Sequence, residues 1–174
     1  GAAFFLPLSC LGNHVGPESC HITGRRLQMH FRAGAAVFGH MGMELDLSKE
    51  TEEDLKILAS AIDLHKETRL LIHGGNYHRL KSSDDISAIS IVSNDRKEAV
   101  IQILVLDTHP FTQPPLLAIS GLEAEKYYQV SLVWPHFMAK DCGRYSGASL
   151  IGHGIQIPQT QPDYCLIYRL EEVV

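Results

Sequence analysis

The spacing of apolar residues changes once along this chain. Residues 4–11 read as a short buried strand, and a loop begins at Gly12. Residues 13–26 are rich in Gly, Pro, Ser, His and Asn, which is loop chemistry. Leu27, His30, Phe31, Gly34, Ala35 and Phe38 then recur at helical spacing, and Gly39 ends that helix. Met41 to Leu47 alternates apolar and polar positions and predicts a strand. Thr51-Glu52-Glu53-Asp54 opens a second helix with a hydroxyl cap and acids over the positive end of its dipole. Leu55, Ile57, Leu58, Ala61, Ile62 and Leu64 give it a wide apolar stripe, and Gly74-Gly75 stops it. After Gly75 the period falls from 3.6 to 2. Ile86–Val92, Glu98–Leu106, Leu116–Ile119, Tyr127–Trp134 and Tyr164–Leu170 read as strands, parted by turns such as Ser93-Asn94-Asp95 and Thr112-Gln113-Pro114-Pro115.

The predicted order is strand, helix, strand, helix, then all-β. The fold class is therefore α/β plus all-β, with a βαβα part over 1–73 and an antiparallel β-sandwich or sheet domain over 74–174. Consecutive βα units belong to a parallel sheet covered by helices. Two such units leave open strand edges and bare apolar surface. The expectation is that something preceding Gly1 completes the sheet. At 174 residues the chain itself is too short for a (β/α)8 barrel, which takes about 250.

Composition narrows the functional classes. Fifteen Lys and Arg against twenty Asp and Glu give a net charge of −5, with no basic cluster, so no nucleic-acid partner is expected. With 45% apolar and 20% charged residues the chain is not of the disordered class. No apolar run reaches the 18 or so residues of a membrane span, and the opening Ala2 to Leu8 lacks the basic start of a signal peptide, so no membrane partner is expected. Cys10, Cys20, Cys142 and Cys165 form no CxxC pair, which points to a reducing, cytoplasmic compartment.

Candidate chemistry gathers in the first loop, which holds His14, Glu18, Cys20, His21 and Arg25. Loops at the carboxyl ends of strands line active sites in βα proteins. The competing reading is that these side chains tie the loop's own backbone. Cys20 and His21 with His14, Glu44 and Asp46 match no standard metal spacing, so no metal or other cofactor is expected. Gly143-Arg144-Tyr145-Ser146-Gly147 resembles a nucleophile elbow only loosely, with no strand expected before it. Asp84-Asp85 reads as a solvated turn, Trp134 as a core or rim residue, and Tyr127 and Tyr128 as pointing to opposite faces of one strand.

Gly12-Asn13-His14-Val15-Gly16-Pro17 followed by His21-Ile22-Thr23-Gly24-Arg25 resembles the bacterial α-galactosidases (melibiases) of glycoside hydrolase family 36, which carry a similar G-x-H-V/I…H-x-x-G-R stretch. The likeness continues through Phe38-Gly39-His40-Met41-Gly42-Met43-Glu44-Leu45-Asp46-Leu47, the helix from Thr51 to Ile72 and Tyr77-His78-Arg79-Leu80. It spans nearly the whole chain and is specific over 10–80 and weak beyond 110.

The resemblance implies a place at the end of a larger enzyme: the last two βα units of a (β/α)8 barrel, then a C-terminal β domain. Its partners are then the upstream barrel and N-terminal domain of the same enzyme, an α-galactoside substrate and further copies in a homo-oligomer. The implied reaction is retaining hydrolysis of terminal α-galactosides, with one Asp as nucleophile and another as acid and base. The family's nucleophile follows a Lys-Trp-Asp pattern, which this chain lacks, and Ser83-Asp84-Asp85 lies after the last barrel helix. No catalytic residue is carried over. The implied contribution of this segment is to close the barrel and, through His14, Glu18, His21 and Arg25, to form the rim of the substrate cleft. The alternative is a non-catalytic carbohydrate-binding or interaction module, which would need exposed aromatics clustered on one sheet face. A stand-alone hydrolase using His14, Cys20 or His21 is the third reading.

Overall fold

A computed structural model describes residues 6–80, 83–109 and 113–173. The chain divides between Gly74 and Gly75 into two compact units.

In the first unit, Pro7 leads into a single 3-10 turn over Leu8–Cys10, closed by the Cys10 amide on the Pro7 carbonyl at 2.9 Å. The strand expected over 4–11 is therefore displaced. Residues 4 and 5 lie outside the described residues, and the strand, β1, runs over Gly12–Val15, where a loop was expected. Helix α1 spans Met29–Ala36, and strand β2 spans His40–Met43, shorter than the alternation over Met41–Leu47 implied. The end of that alternation is a 3-10 turn at Leu47–Lys49, where the Asp46 carboxylate accepts the Ser48 amide at 3.1 Å. β1 and β2 pair in parallel, Gly12 against His40 through Val15 against Met43. Helix α2 spans Glu52–Gly74.

The core of this unit joins one side of the strand pair to α1 and α2: Val15, Met29, Phe31, Ala33, Phe38, Leu58, Ala61 and Ile72 are all buried. Two histidines of α2 fix the turn between α1 and β2. His65 Nδ1 donates to the Val37 carbonyl at 2.9 Å and His73 Nε2 to the Gly39 carbonyl at 3.0 Å. The start of α2 is held by Thr51, whose hydroxyl accepts the Asp54 amide at 3.1 Å and donates to the Asp54 carboxylate at 2.7 Å. Thr51→Ala is expected to lower stability by about 1 kcal/mol, the usual cost of a lost N-cap, with Thr51→Ser near the parent. The shift in urea midpoint checks this.

In the second unit, β3 (Asn76–Arg79), β4 (Ile86–Val92), β5 (Glu98–Val105), β7 (Tyr127–Trp134), β8 (Lys140–Ser146) and β10 (Tyr164–Val173) form one antiparallel sheet in the order β3-β4-β5-β10-β7-β8. β6 (Leu116–Leu117) pairs with β9 (Ile155–Gln156), and helix α3 covers Gly147–Gly152. β7 shows its origin in the sequence: Tyr128, Val130, Leu132 and Trp134 are buried while the alternate residues are open. That alternation puts Tyr128 inside and Tyr127 outside. One core cluster unites Ile101, Ile103, Val130, Leu166 and Tyr168 of the sheet with Leu117, Leu150 and Ile155 from β6, α3 and β9. The unit is thus a single sheet with a small second layer. Burial pushes the Tyr168 phenol and the Cys165 thiol well above their ordinary pKa values.

β8 corrects one expectation. A strand does precede Gly147, so Arg144-Tyr145-Ser146 sits on a strand-to-helix junction. The Ser146 hydroxyl is nevertheless a helix cap, accepting the Ser149 amide at 3.2 Å, and not an exposed nucleophile. No helix among the described residues is long and apolar enough to cross a membrane.

Candidate functional site

The loop between β1 and α1 folds back on itself. An antiparallel bridge joins Ser19 and Arg26, the Cys20 amide donates to the Arg25 carbonyl at 2.9 Å, and the Leu27 amide donates to the Glu18 carbonyl at 2.9 Å. Gly24 turns the tip with φ +69°, a backbone region that favours glycine. Most of the loop's polar side chains serve it locally. Glu18 pairs with Arg26 at 2.8 Å, and that hydrogen bond holds the Glu18 carboxyl below its usual range. The Thr23 hydroxyl, with the amides of Thr23 and Ile22, lowers the Cys20 thiol pKa. His21 and Arg25 lie exposed at the tip.

Strand alternation sends His14 the other way. Its Nδ1 lies 3.0 Å from Glu44 Oε1, just past the end of β2. Of the sequence candidates, the fold thus brings His14 and Glu44 together and keeps Glu18, Cys20, His21 and Arg25 on the loop. Among the described residues, no group of three or more His, Cys, Asp or Glu side chains is arranged to hold a metal ion.

Arg32 and Glu50 are functional-looking residues that sequence reasoning passed over. Arg32 sits in the buried face of α1 with its side chain only 6% exposed, and Glu50 is 9% exposed. Both guanidinium ends reach the carboxylate, Nη2 at 3.1 Å and Nη1 at 3.4 Å, while Nη1 also donates to the Gly16 carbonyl at 2.7 Å. One side chain therefore ties the exit of β1 to the segment that follows β2. It lies in the wall of a cavity of about 510 Å3 that also touches Glu18, Asp46 and Asp54. A charge inside an apolar helical run was the available signal; its partner, 18 residues away, was not.

The second unit has its own cavity, of about 310 Å3, walled by Ile86, Val105, Pro115 and Ile157. Asp85 at its edge pairs with His109 at 3.3 Å. Trp134 is 1% exposed and offers no face to a sugar. Tyr127 is half exposed, but the Arg144 guanidinium stands over its ring at 4.7 Å.

A parallel βα unit and a mostly antiparallel sheet make this a mixed α/β protein. Residues 1–75 match the Melibiase family model, and residues 86–170 match that of the glycosyl hydrolase family 36 C-terminal domain. The chain belongs to glycosyl hydrolase family 36 and matches the C-terminal portion of its members.

An α-galactosidase of Escherichia coli is 32% identical over 192 aligned residues, covering 100% of this chain and 27% of that protein. α-Galactosidase AgaA of Geobacillus stearothermophilus is 27% identical over 99% of this chain and 23% of its own length. The chain thus spans about a quarter of these relatives. The galactosidase domain of the α-galactosidase–sucrose kinase AgaSK superposes with a TM-score of 0.88 at 27% identity, covering 99% of this chain and 23% of that one. A complex of a Geobacillus AgaA variant with 1-deoxygalactonojirimycin gives 0.86 at 27% identity, covering 96% of this chain and 22% of the other.

Proposed function

We propose that this chain is the C-terminal part of a retaining α-galactosidase acting on terminal α-galactosides. In this reading β1, α1, β2 and α2, within 1–73, are the last two units of its (β/α)8 barrel, and 74–174 is its C-terminal domain. The observation that carries the reading is the 32% identity to an α-galactosidase across the whole chain, within 27% of that relative's length. The β1–β2 pair supports it on physical grounds, because an isolated two-stranded parallel sheet is not a stable arrangement, and a closed barrel removes its edges.

Both nucleophile and acid/base carboxyls are assigned upstream, about 5–5.5 Å apart as retention requires. The residues of this chain then shape the cleft. His14 lies near the end of β1 and Glu18, His21 and Arg25 on the loop beyond it, where barrel active sites form, and all four are proposed as rim residues.

Hydrolysis of a chromogenic aryl α-galactoside tests this. The 174-residue chain is expected to be inactive, and the protein extended by its preceding coding sequence is expected to release galactose with retained configuration. Turnover by the 174-residue chain would make Asp84, Asp85 and the histidine loop catalytic candidates. An extended protein inert toward α-galactosides would overturn the activity itself.

A further inference from the structure

Strand alternation gives the β1–β2 pair two unlike faces. On one, Val15 is fully buried and the Asn13 amide donates to the Phe38 carbonyl. On the other stand Gly12, His14 and Gly42, with Glu44 just beyond. The His14 ring lies over a floor of glycine. A Cβ on Gly42 would stand 2.4 Å from His14 Cδ2, and one on Gly12 would stand 3.5 Å from Nε2. Any side chain at 42 would push the ring away. Glu44 Oε1 lies 3.0 Å from its Nδ1.

Two features separate this pair from ordinary surface electrostatics. His14 and Glu44 are 47% and 69% exposed, so the contact contributes little to stability, yet the space for it is cleared on both strands. A carboxylate only accepts, so beside a neutral imidazole it favours the tautomer with the proton on Nδ1 and the lone pair on Nε2. Carboxylates orient functional imidazoles in this way. The dyad also lies at the carboxyl end of both strands, on the side turned from the helices. In the barrel reading that is the inside of the mouth.

We propose that His14 binds substrate in this enzyme, its Nε2 accepting a hydrogen bond from a hydroxyl of the bound glycoside, and that Glu44 is a positioning residue acting through His14. The inference deepens the α-galactosidase reading and rests on it. Gly42 is part of the device because it leaves the ring its place.

The test uses the extended enzyme, with kcat and KM measured on an aryl α-galactoside and Kd measured for 1-deoxygalactonojirimycin. His14→Ala is expected to lower kcat/KM by about 10- to 100-fold, the range for losing an oriented hydrogen bond in an active site. Glu44→Ala is expected to lower it about tenfold. Glu44→Gln, whose amide oxygen can take the same place beside Nδ1, is expected to recover most of that loss. The double variant His14→Ala/Glu44→Ala is expected to be no worse than His14→Ala alone, since Glu44 acts through the ring. Melting temperatures of all four are expected to stay near the parent's. An active parent whose His14→Ala variant keeps kcat, KM and Kd overturns the dyad alone. Multiplying losses in the double variant overturn the role of Glu44. A parent without α-galactosidase activity overturns the underlying reading and the dyad with it.

Discussion

Gly154→Ala is expected to cost roughly 2–6 kcal/mol, combining about 1–3 for a strained left-handed backbone with about 1–3 for forced overpacking. Gly154 has φ +87°, and a Cβ there would stand 1.9 Å from the Leu117 carbonyl oxygen and 2.1 Å from its carbon. These are backbone atoms and cannot rotate aside. Leu117 and Ile155 are register partners in the β6–β9 pair, so relieving the clash parts the pair itself. Both residues are buried in the core cluster beside Leu150. At about 4–8 °C per kcal/mol for a domain of this size, the melting temperature falls by about 8 °C or more. Gly152→Ala is the control, because nothing lies within 4 Å of its added Cβ, and it is expected to move stability by less than about 1 kcal/mol. Hydrogen exchange at the Ile119 amide, which donates to the Leu150 carbonyl at 2.9 Å, reports the local effect. Equal losses in the two variants would show that the close approach is not what the fold depends on.

The same dependence on distant partners explains which elements were legible in sequence. Helix α2 was legible because its signals are local: a Thr51 cap, three acids in the first turn and Gly74 at the end. β7 was legible because one face packs more closely than the other, which writes period 2 into the residues. β1 was not, because its four residues carry glycine and histidine on one face and depend on β2 to be a strand at all. β8, Lys-Asp-Cys-Gly-Arg-Tyr-Ser, is a polar edge strand with a register shift opposite Val130/Ser131, and only β7 holds it extended. The site divides the same way. His14 was legible from its motif, but its contact with Glu44 comes from the parallel register, which puts His14 opposite Gly42.

Breaking the Arg32–Glu50 pair is expected to have the largest effect in the first unit. Arg32→Met or Glu50→Leu alone is expected to cost about 3–5 kcal/mol, because each strands a charge that is itself nearly buried. The double variant Arg32→Met/Glu50→Leu removes both charges and is expected to cost less than either single change. It retains a penalty of about 1–2 kcal/mol, since the Gly16 carbonyl loses the Nη1 donor it now has at 2.7 Å. Urea unfolding of the four proteins in a double-mutant cycle measures this, and simple additivity would refute the coupling.

The two single variants also differ in where their damage spreads. Arg32 alone reaches the exit of β1, so Arg32→Met releases the loop whose amides at Cys20 and Leu27 are bonded to Arg25 and Glu18. Faster hydrogen exchange at those two amides is expected in Arg32→Met, with a smaller change in Glu50→Leu. The loop carrying Glu18, His21 and Arg25 then owes its pose to a buried arginine on α1 as well as to its own hydrogen bonds. That is how a scaffold holds a loop in one place.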